Sequence, residues 1–220
     1  LDKQLFAIEM TAIMNGIRDT KADLIHFCFK DCIHIDSGWE RDATALFTIF
    51  SDVVMVGGLV HDGHKIMDGP QIFGFGSGAE CPDVGKPFMD HGYFAKLFKP
   101  HTVSAVPLHH SVVKTSFIKK ILPIIAKEKV RLNQLNHFIG GLAIEGNKRV
   151  IFSPFFKSKL GVFEYSKSYN EVAHSYFLSR FWNIIPDNRV YSSKLDLSSA
   201  NFGYSVADEA KNLEHIDGLK

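Results

Sequence analysis

Cysteine is scarce in this chain: Cys28, Cys32 and Cys81 are the only three among 220 residues, and no two form a C-x-x-C pair. So sparse and odd a set excludes a disulfide scaffold. It reads as reduced thiols in a reducing compartment, more buried than reactive, and makes a cytoplasmic location the expectation. Excess charge of one sign is also missing. Lys and Arg number 25 against 24 Asp and Glu, a net of +1, so no overall field recommends nucleic acid or an anionic membrane as partner. No uninterrupted apolar run approaches the roughly 18 residues a membrane span requires. The opening Leu1-Asp2-Lys3-Gln4 has no basic-then-apolar leader pattern, and the absent initiator Met reads as a processed or excised chain. With 45% hydrophobic and 22% charged residues, disordered and collagenous classes are excluded as well.

Two residue types are abundant instead. Nineteen Phe imply a large aromatic core and an aromatic-walled groove. Eleven His supply candidate metal ligands, acids and bases. The length fits one large domain, or one domain with an appendage.

Periodicity divides the chain. Phe6, Met10, Ile13 and Ile17 recur at helical spacing and predict a helix over 3–18. The apolar run 23–29 predicts a buried strand ending at Lys30-Asp31-Cys32. Ser37, with Glu40 three residues on, predicts a capping box opening a helix through Phe50. The run 52–57 predicts a second buried strand, which Gly58 ends or bulges. Residues 61–100 are punctuated by Gly and Pro and predict a long loop with short strands at 64–67 and 71–75. Strands over 102–107 and 111–114, a helix over 116–127 restarted or kinked at Pro123, and a helix over 133–144 closed by Gly146 follow. A strand over 149–152 ends at Ser153-Pro154, and an aromatic helix covers about 168–185. The division is then a domain over 1–186 and a polar appendage over 187–220. Helices alternating with buried strands predict an α/β fold with a mainly parallel sheet and flanking helices. Ligands in such sheets bind beyond the carboxyl ends of the strands, which sets Lys30-Asp31-Cys32 at the mouth of a site.

Several residues there carry chemistry, each with a plainer role beside it. Asp31 can hold a divalent cation bridging a diphosphate, or cap the next turn. His61, Asp62 and His64 can share a metal, or flank an Asp-Gly hairpin turn. With His109 and His110 they would make a His/Asp metallohydrolase site. His109 and His110 face opposite sides of a sheet, so one imidazole reaches a pocket. Gln134, Asn136 and His137 at a helix start can bind sugar hydroxyls or serve as caps. Gly74-x-Gly76-x-Gly78 lacks the helix and Lys of a phosphate loop.

The order of these segments resembles the inverting family-two glycosyltransferases of GT-A fold. Asn15-Gly16-Ile17-Arg18, then Lys21-Ala22-Asp23-Leu24-Ile25, is similar to the run that leads into the family's acidic motif, here Lys30-Asp31-Cys32. Trp39 matches the Trp of the family's next helix. Val56-Gly57-Gly58-Leu59, then Asp62-Gly63-His64-Lys65-Ile66 and Gly69, resembles its next strand and hairpin. His91-Gly92-Tyr93-Phe94, Val103-Ser104-Ala105-Val106, Ser111 to Phe117 and Gly146 to Pro154 continue the match in order over about residues 5–156.

The resemblance implies a Rossmann-like GT-A sheet, truncated or remodelled at its N-terminus, since the strand, helix and strand that hold the nucleotide base in the family are missing from these 220 residues. It implies transfer of a sugar from a nucleotide-sugar to a glycan or other hydroxyl acceptor. Lys30 and Asp31 would lie at the donor diphosphate, with Mg²⁺ or Mn²⁺ on Asp31. Trp39, His109, His110, Gln134 and Asn136 would line the acceptor site, and His137 would replace the family's catalytic acid, because no Asp or Glu occurs between Leu132 and Ile144. The lost acids support an alternative, a non-catalytic relative that binds glycan or protein. Neither nucleic acid nor a membrane span is expected, and an oligomer is compatible with the sequence.

Overall fold

The computed structural model describes residues 2–29, 32–75, 79–161, 180–184 and 189–190, with the side chains of 2–9 and 182 left aside. Helix α1 (Asp2–Asp19) leads to strand β1 (Leu24–Cys28), then β2 (Cys32–Ile35), helix α2 (Trp39–Ile49) and the wholly buried β3 (Val53–His61). A glycine-rich excursion carries β4 (Ile66–Asp68), β5 (Ile72–Phe73), β6 (Ala79–Glu80) and a 3-10 segment, Tyr93–Phe98. Strands β7 (His101–Val103) and β8 (His110–Lys114), helices α3 (Thr115–Lys127) and α4 (Leu135–Glu145), and β9 (Arg149–Leu160) complete the described core. The aromatic helix expected over 168–185 and the polar appendage lie outside the described residues, apart from 180–184 and 189–190.

The α/β class is as expected, but the sheet is mixed rather than mainly parallel. Its order is β1-β8-β3-β9-β2, with β4 beside β3 and β7 beside β9, and only β3 and β9 pair in parallel. Among the described residues β8 makes two of the five antiparallel pairings in this sheet, and β2, β4 and β7 make one each. β1, β3 and β9 run in the same direction, as helix-linked strands do. β8 returns from the long excursion and inserts between β1 and β3 in the opposite sense, turning one parallel neighbourhood into two antiparallel ones.

Register assigns the side chains to two faces, because directly paired residues share a side. His26 faces Val112, and Val112 faces Val56. That set packs beneath α2 with Ala43, Leu46, Phe47, Ile151 and Phe156. On the other face Phe27, Met55, Val113 and Phe152 join α1, α3 and α4 in the larger core. The phenylalanine excess is spent here: Phe73, Phe138, Phe152, Phe156 and Phe181 are among the largest fully buried side chains.

Two local expectations are corrected, the capping box and the strand end at Ser153-Pro154. The Ser37–Glu40 capping box does not form; Gly38 caps α2 in a left-handed conformation with no side-chain bond to the helix. Of the two readings of Gly58 the bulge holds: β3 continues through it, and Gly58 stands opposite residues 153–156 where the register with β9 shifts. β9 likewise runs on past Ser153-Pro154 to Leu160, the bulge absorbing the proline. Helix α3 passes through Pro123 without ending. At the end of α4 the expected Gly146 cap is present, while the left-handed residue is its neighbour Asn147 at φ +50°.

Candidate functional site

The carboxyl end of β1 gathers the candidates. Phe29 follows the strand, and its N–H donates to the carbonyl of His109 at 3.1 Å. On the far side of Lys30 and Asp31, the Cys32 N–H donates to Phe29 at 3.0 Å and its thiol donates to the same His109 carbonyl at 3.2 Å. The chain on both sides of the Lys30-Asp31 pair is thus tied to the turn that opens β8. Lys30 and Asp31 themselves lie outside the described residues.

On the α2 face of this edge four rings converge. Trp39, the first residue of α2, lies 4.2 Å from the His26 ring and 5.0 Å from the His110 ring, centroid to centroid. His26 Nε2 and His110 Nδ1 are 2.9 Å apart and share one hydrogen bond. Phe156 closes the floor, 5.0 Å from His110 and 5.6 Å from Trp39. His110 is only 2% exposed, Trp39 is half-buried and His26 is open to solvent. Burial, and secondarily the adjacent His26, pushes the His110 pKa down to about 4. Burial also lowers His26, opposed by the nearby Glu40 carboxylate. Both imidazoles are therefore neutral at pH 7. A half-open indole beside a solvent-facing neutral imidazole offers an apolar plate and a hydrogen-bonding nitrogen side by side, the pairing that suits the C–H face and hydroxyl rim of a sugar.

Trp39 and His110 are brought together as expected, with His109 beside them. The expectation that the two histidines face opposite ways holds: the His109 ring packs on Phe29, 4.9 Å away, rather than on Trp39. Gln134, Asn136 and His137 do not join them. Gln134 accepts the Arg131 N–H at 3.3 Å in a local turn. Asn136 is buried and donates to Gln71 at 2.8 Å; Gln71 in turn donates to both oxygens of buried Asp68. His137 is buried near Phe73 within α4, on the far side of the sheet from α2. His26 is the member that sequence reading missed. Its signal is positional, two residues before Cys28 on the strand face that the β8 register joins to His110.

The Asp-Gly motif is a turn. Asp62 accepts the N–H groups of His64 and Lys65, each at 2.7 Å, and Gly63 takes φ +105°. Among the described residues no group of three or more His, Cys, Asp or Glu is arranged to hold a metal ion, so the metallohydrolase reading finds no site. Around Phe29 and Cys32 the described hydrogen-bonding groups include the carbonyls of Phe29 and His109 and the thiols of Cys28 and Cys32. A Mg²⁺ or Mn²⁺ ion on Asp31 would draw its remaining oxygens from diphosphate and water, as such ions commonly do.

No family model, no curated protein and no solved structure matches the chain. What fold and site define is an α/β domain with a mixed sheet and an aromatic–imidazole cluster at one strand edge. No helix among the described residues is long and apolar enough to cross a membrane.

Proposed function

We propose that this chain is a glycosyltransferase-like domain that takes a nucleotide-sugar at the carboxyl end of β1 and transfers the sugar to a glycan hydroxyl laid against Trp39. The observation that carries the reading is convergence. The His109–His110 turn lies about 70 positions or more beyond both the strand before the acidic pair and the Trp of the next helix, and the three meet at one edge.

The chemistry would be a single displacement. The acceptor hydroxyl gives its proton to a base, its oxygen bonds to the anomeric carbon, and the bond to the diphosphate breaks with the electron pair leaving on phosphate. In the tautomer in which His26 Nε2–H donates to His110 Nδ1 across their shared bond, His26 Nδ1 is the neutral acceptor, and we assign it the proton. Asp31 would be the residue to hold a Mg²⁺ or Mn²⁺ ion, which together with Lys30 would supply charge neutralisation for the departing diphosphate. His137, buried behind the sheet, is left out of this scheme.

A second reading, a non-catalytic domain that binds glycan or protein, is favoured by one observation: Gln134 and Asn136, standing where the family keeps its acid, spend hydrogen bonds inside the fold. Calorimetric titration with UDP and GDP, with and without Mn²⁺, separates the two. Transfer predicts metal-dependent binding that is lost in Asp31→Ala. No binding at millimolar nucleotide removes the transferase reading and leaves the binder.

A further inference from the structure

The three cysteines stand in two different settings. Cys81 is buried, and burial, with the Asp68 and Asp83 carboxylates adding to it, pushes its thiol pKa up. In the folded protein that sulfur is inert. Cys28 and Cys32 are also thiols, but Cys28 is exposed and Cys32 half-buried. A thiol open to solvent is the one that meets an oxidant.

These two cysteines meet at one carbonyl. The Cys28 thiol donates to the Phe29 carbonyl at 3.9 Å, and the Cys32 N–H donates to that same oxygen at 3.0 Å. A bond from residue i+3 back to residue i brings the two α-carbons within about 7 Å. Cys28 is the next residue out, its sulfur turned to the acceptor that closes the turn. A disulfide joins α-carbons roughly 4.4–6.8 Å apart, a span of the same size. Cys28 pairs in register with His110 and shares its side of the sheet with His26, two positions back. The exposed His26 imidazole, its pKa lowered by burial of part of the ring, is neutral and can take the thiol proton. The Cys32 thiol donates to the His109 carbonyl at 3.2 Å. Covered on that side, it is placed to resolve a mixed disulfide rather than to start one.

We propose that Cys28 and Cys32 form a reversible dithiol–disulfide site that exchanges with small disulfides of the glutathione type, Cys28 attacking and Cys32 resolving. Cys28 gives up its proton and bonds its sulfur to one sulfur of glutathione disulfide; the other leaves as thiolate and is protonated. Cys32, losing its own proton, then bonds to the Cys28 sulfur and expels the second glutathione as thiol. The two cysteines lose two electrons, and the glutathione pair gains them. Oxidation also takes the Cys32 S–H off the His109 carbonyl, so the turn that opens β8 loses one of its donors.

The proposal stands apart from the glycosyltransferase reading, and its test needs no sugar or nucleotide. The whole folded chain is incubated with glutathione disulfide, alkylated with N-ethylmaleimide in denaturant, and digested with trypsin without reduction. Trypsin cuts after Lys30, between the two cysteines, so the peptides carrying Cys28 and Cys32 stay joined only through a disulfide. Expected are joined peptides from a chain that still migrates as a monomer, separated again by dithiothreitol, with Cys81 alkylated throughout. Cys32→Ser should retain one glutathione on Cys28. Cys28→Ser should be oxidised at least tenfold more slowly, with the circular dichroism spectrum of the parent. Separate peptides with both cysteines alkylated overturn the proposal. So does a lasting glutathione on Cys28 in the parent protein, or oxidation of folded Cys28→Ser at the parent's rate.

Discussion

Burial of His110 against a second imidazole ties stability to pH. In the unfolded chain this histidine takes a proton near pH 6.5, whereas in the fold it does so only at about 4. Between those values the unfolded state binds a proton that the native state refuses. Stability is therefore full above pH 6.5, falls as pH drops from 6.5 towards 4, and is level below. The shift corresponds to at most about 3 kcal/mol. His26 and His61, both lowered chiefly by burial, add to the loss in the same direction. Urea unfolding at pH 7 and pH 4.5 should show this loss in the parent protein and a clearly smaller one in His110→Phe, which keeps the ring and discards the titration. Parallel losses in the two proteins would mean that His110 is protonated in the native state. His109 and His110 were legible in the sequence as candidates, because strand alternation alone sets adjacent residues on opposite sides. His26 was not, since its role depends on which strand pairs with β1 and in what register. The Asn136–Gln71–Asp68 chain was hidden for the same reason: its members are joined across 65 positions of sequence by a fold that no local pattern encodes.

Element boundaries show where local pattern is overruled by packing. Ser37 and Glu40 have capping chemistry, yet the turn delivered by β2 sets Gly38 in the left-handed region and α2 starts one residue later. Gly58 reads equally well as a strand end or a bulge, and the partner strand decides. A Cβ at position 58 would lie 1.8 Å from the carbonyl oxygen of Phe156, backbone that cannot step aside without breaking the parallel pairing of β3 and β9. Gly58→Ala should cost about 3 kcal/mol or more by overpacking. Gly16 in α1 has nothing within 4 Å of the added carbon, so Gly16→Ala should stabilise by roughly 0.5–1 kcal/mol through helix propensity. Thermal melts of the two variants should shift in opposite directions. A neutral Gly58→Ala would show that the bulge at 153–156 can slide. The strand itself was plain in the sequence; the reason for Gly58 was carried by Phe156, almost one hundred positions away, and that for Gly57 by Val106 and Ser111, about fifty positions away.

At the scale of the whole molecule, the two sides of the sheet are unequally defended. α1, α3 and α4 cover one face over a broad core that includes Phe138, Ile139, Phe152 and Phe181. α2 alone covers the described part of the other, and buries only Ala43, Leu46 and Phe47. Its amino end lacks a side-chain cap, while Ile49 at its last turn and Phe50 beyond it are exposed. Thr44 and Thr48 return their hydroxyls to carbonyls within the helix, at 2.8 and 2.7 Å, rather than bonding across to the sheet. Among the described residues, the bond from the Ser153 hydroxyl in the β9 bulge to Asp42 and the Trp39 ring contacts oppose this looseness. Local opening should follow that inventory, since segments with few buried apolar groups open well below the global free energy. Native-state hydrogen exchange should find the α2 amides exchanging through a low-energy opening that leaves β3 and α4 protected, and Ser153→Ala should lower that opening further without moving the α4 amides. Because Trp39 belongs to α2 while His26 and His110 belong to the sheet, the same opening would part the indole from the two imidazoles. Equal protection in α2 and α4 would instead mean that both layers unfold together and that the aromatic cluster is as rigid as the core beneath it.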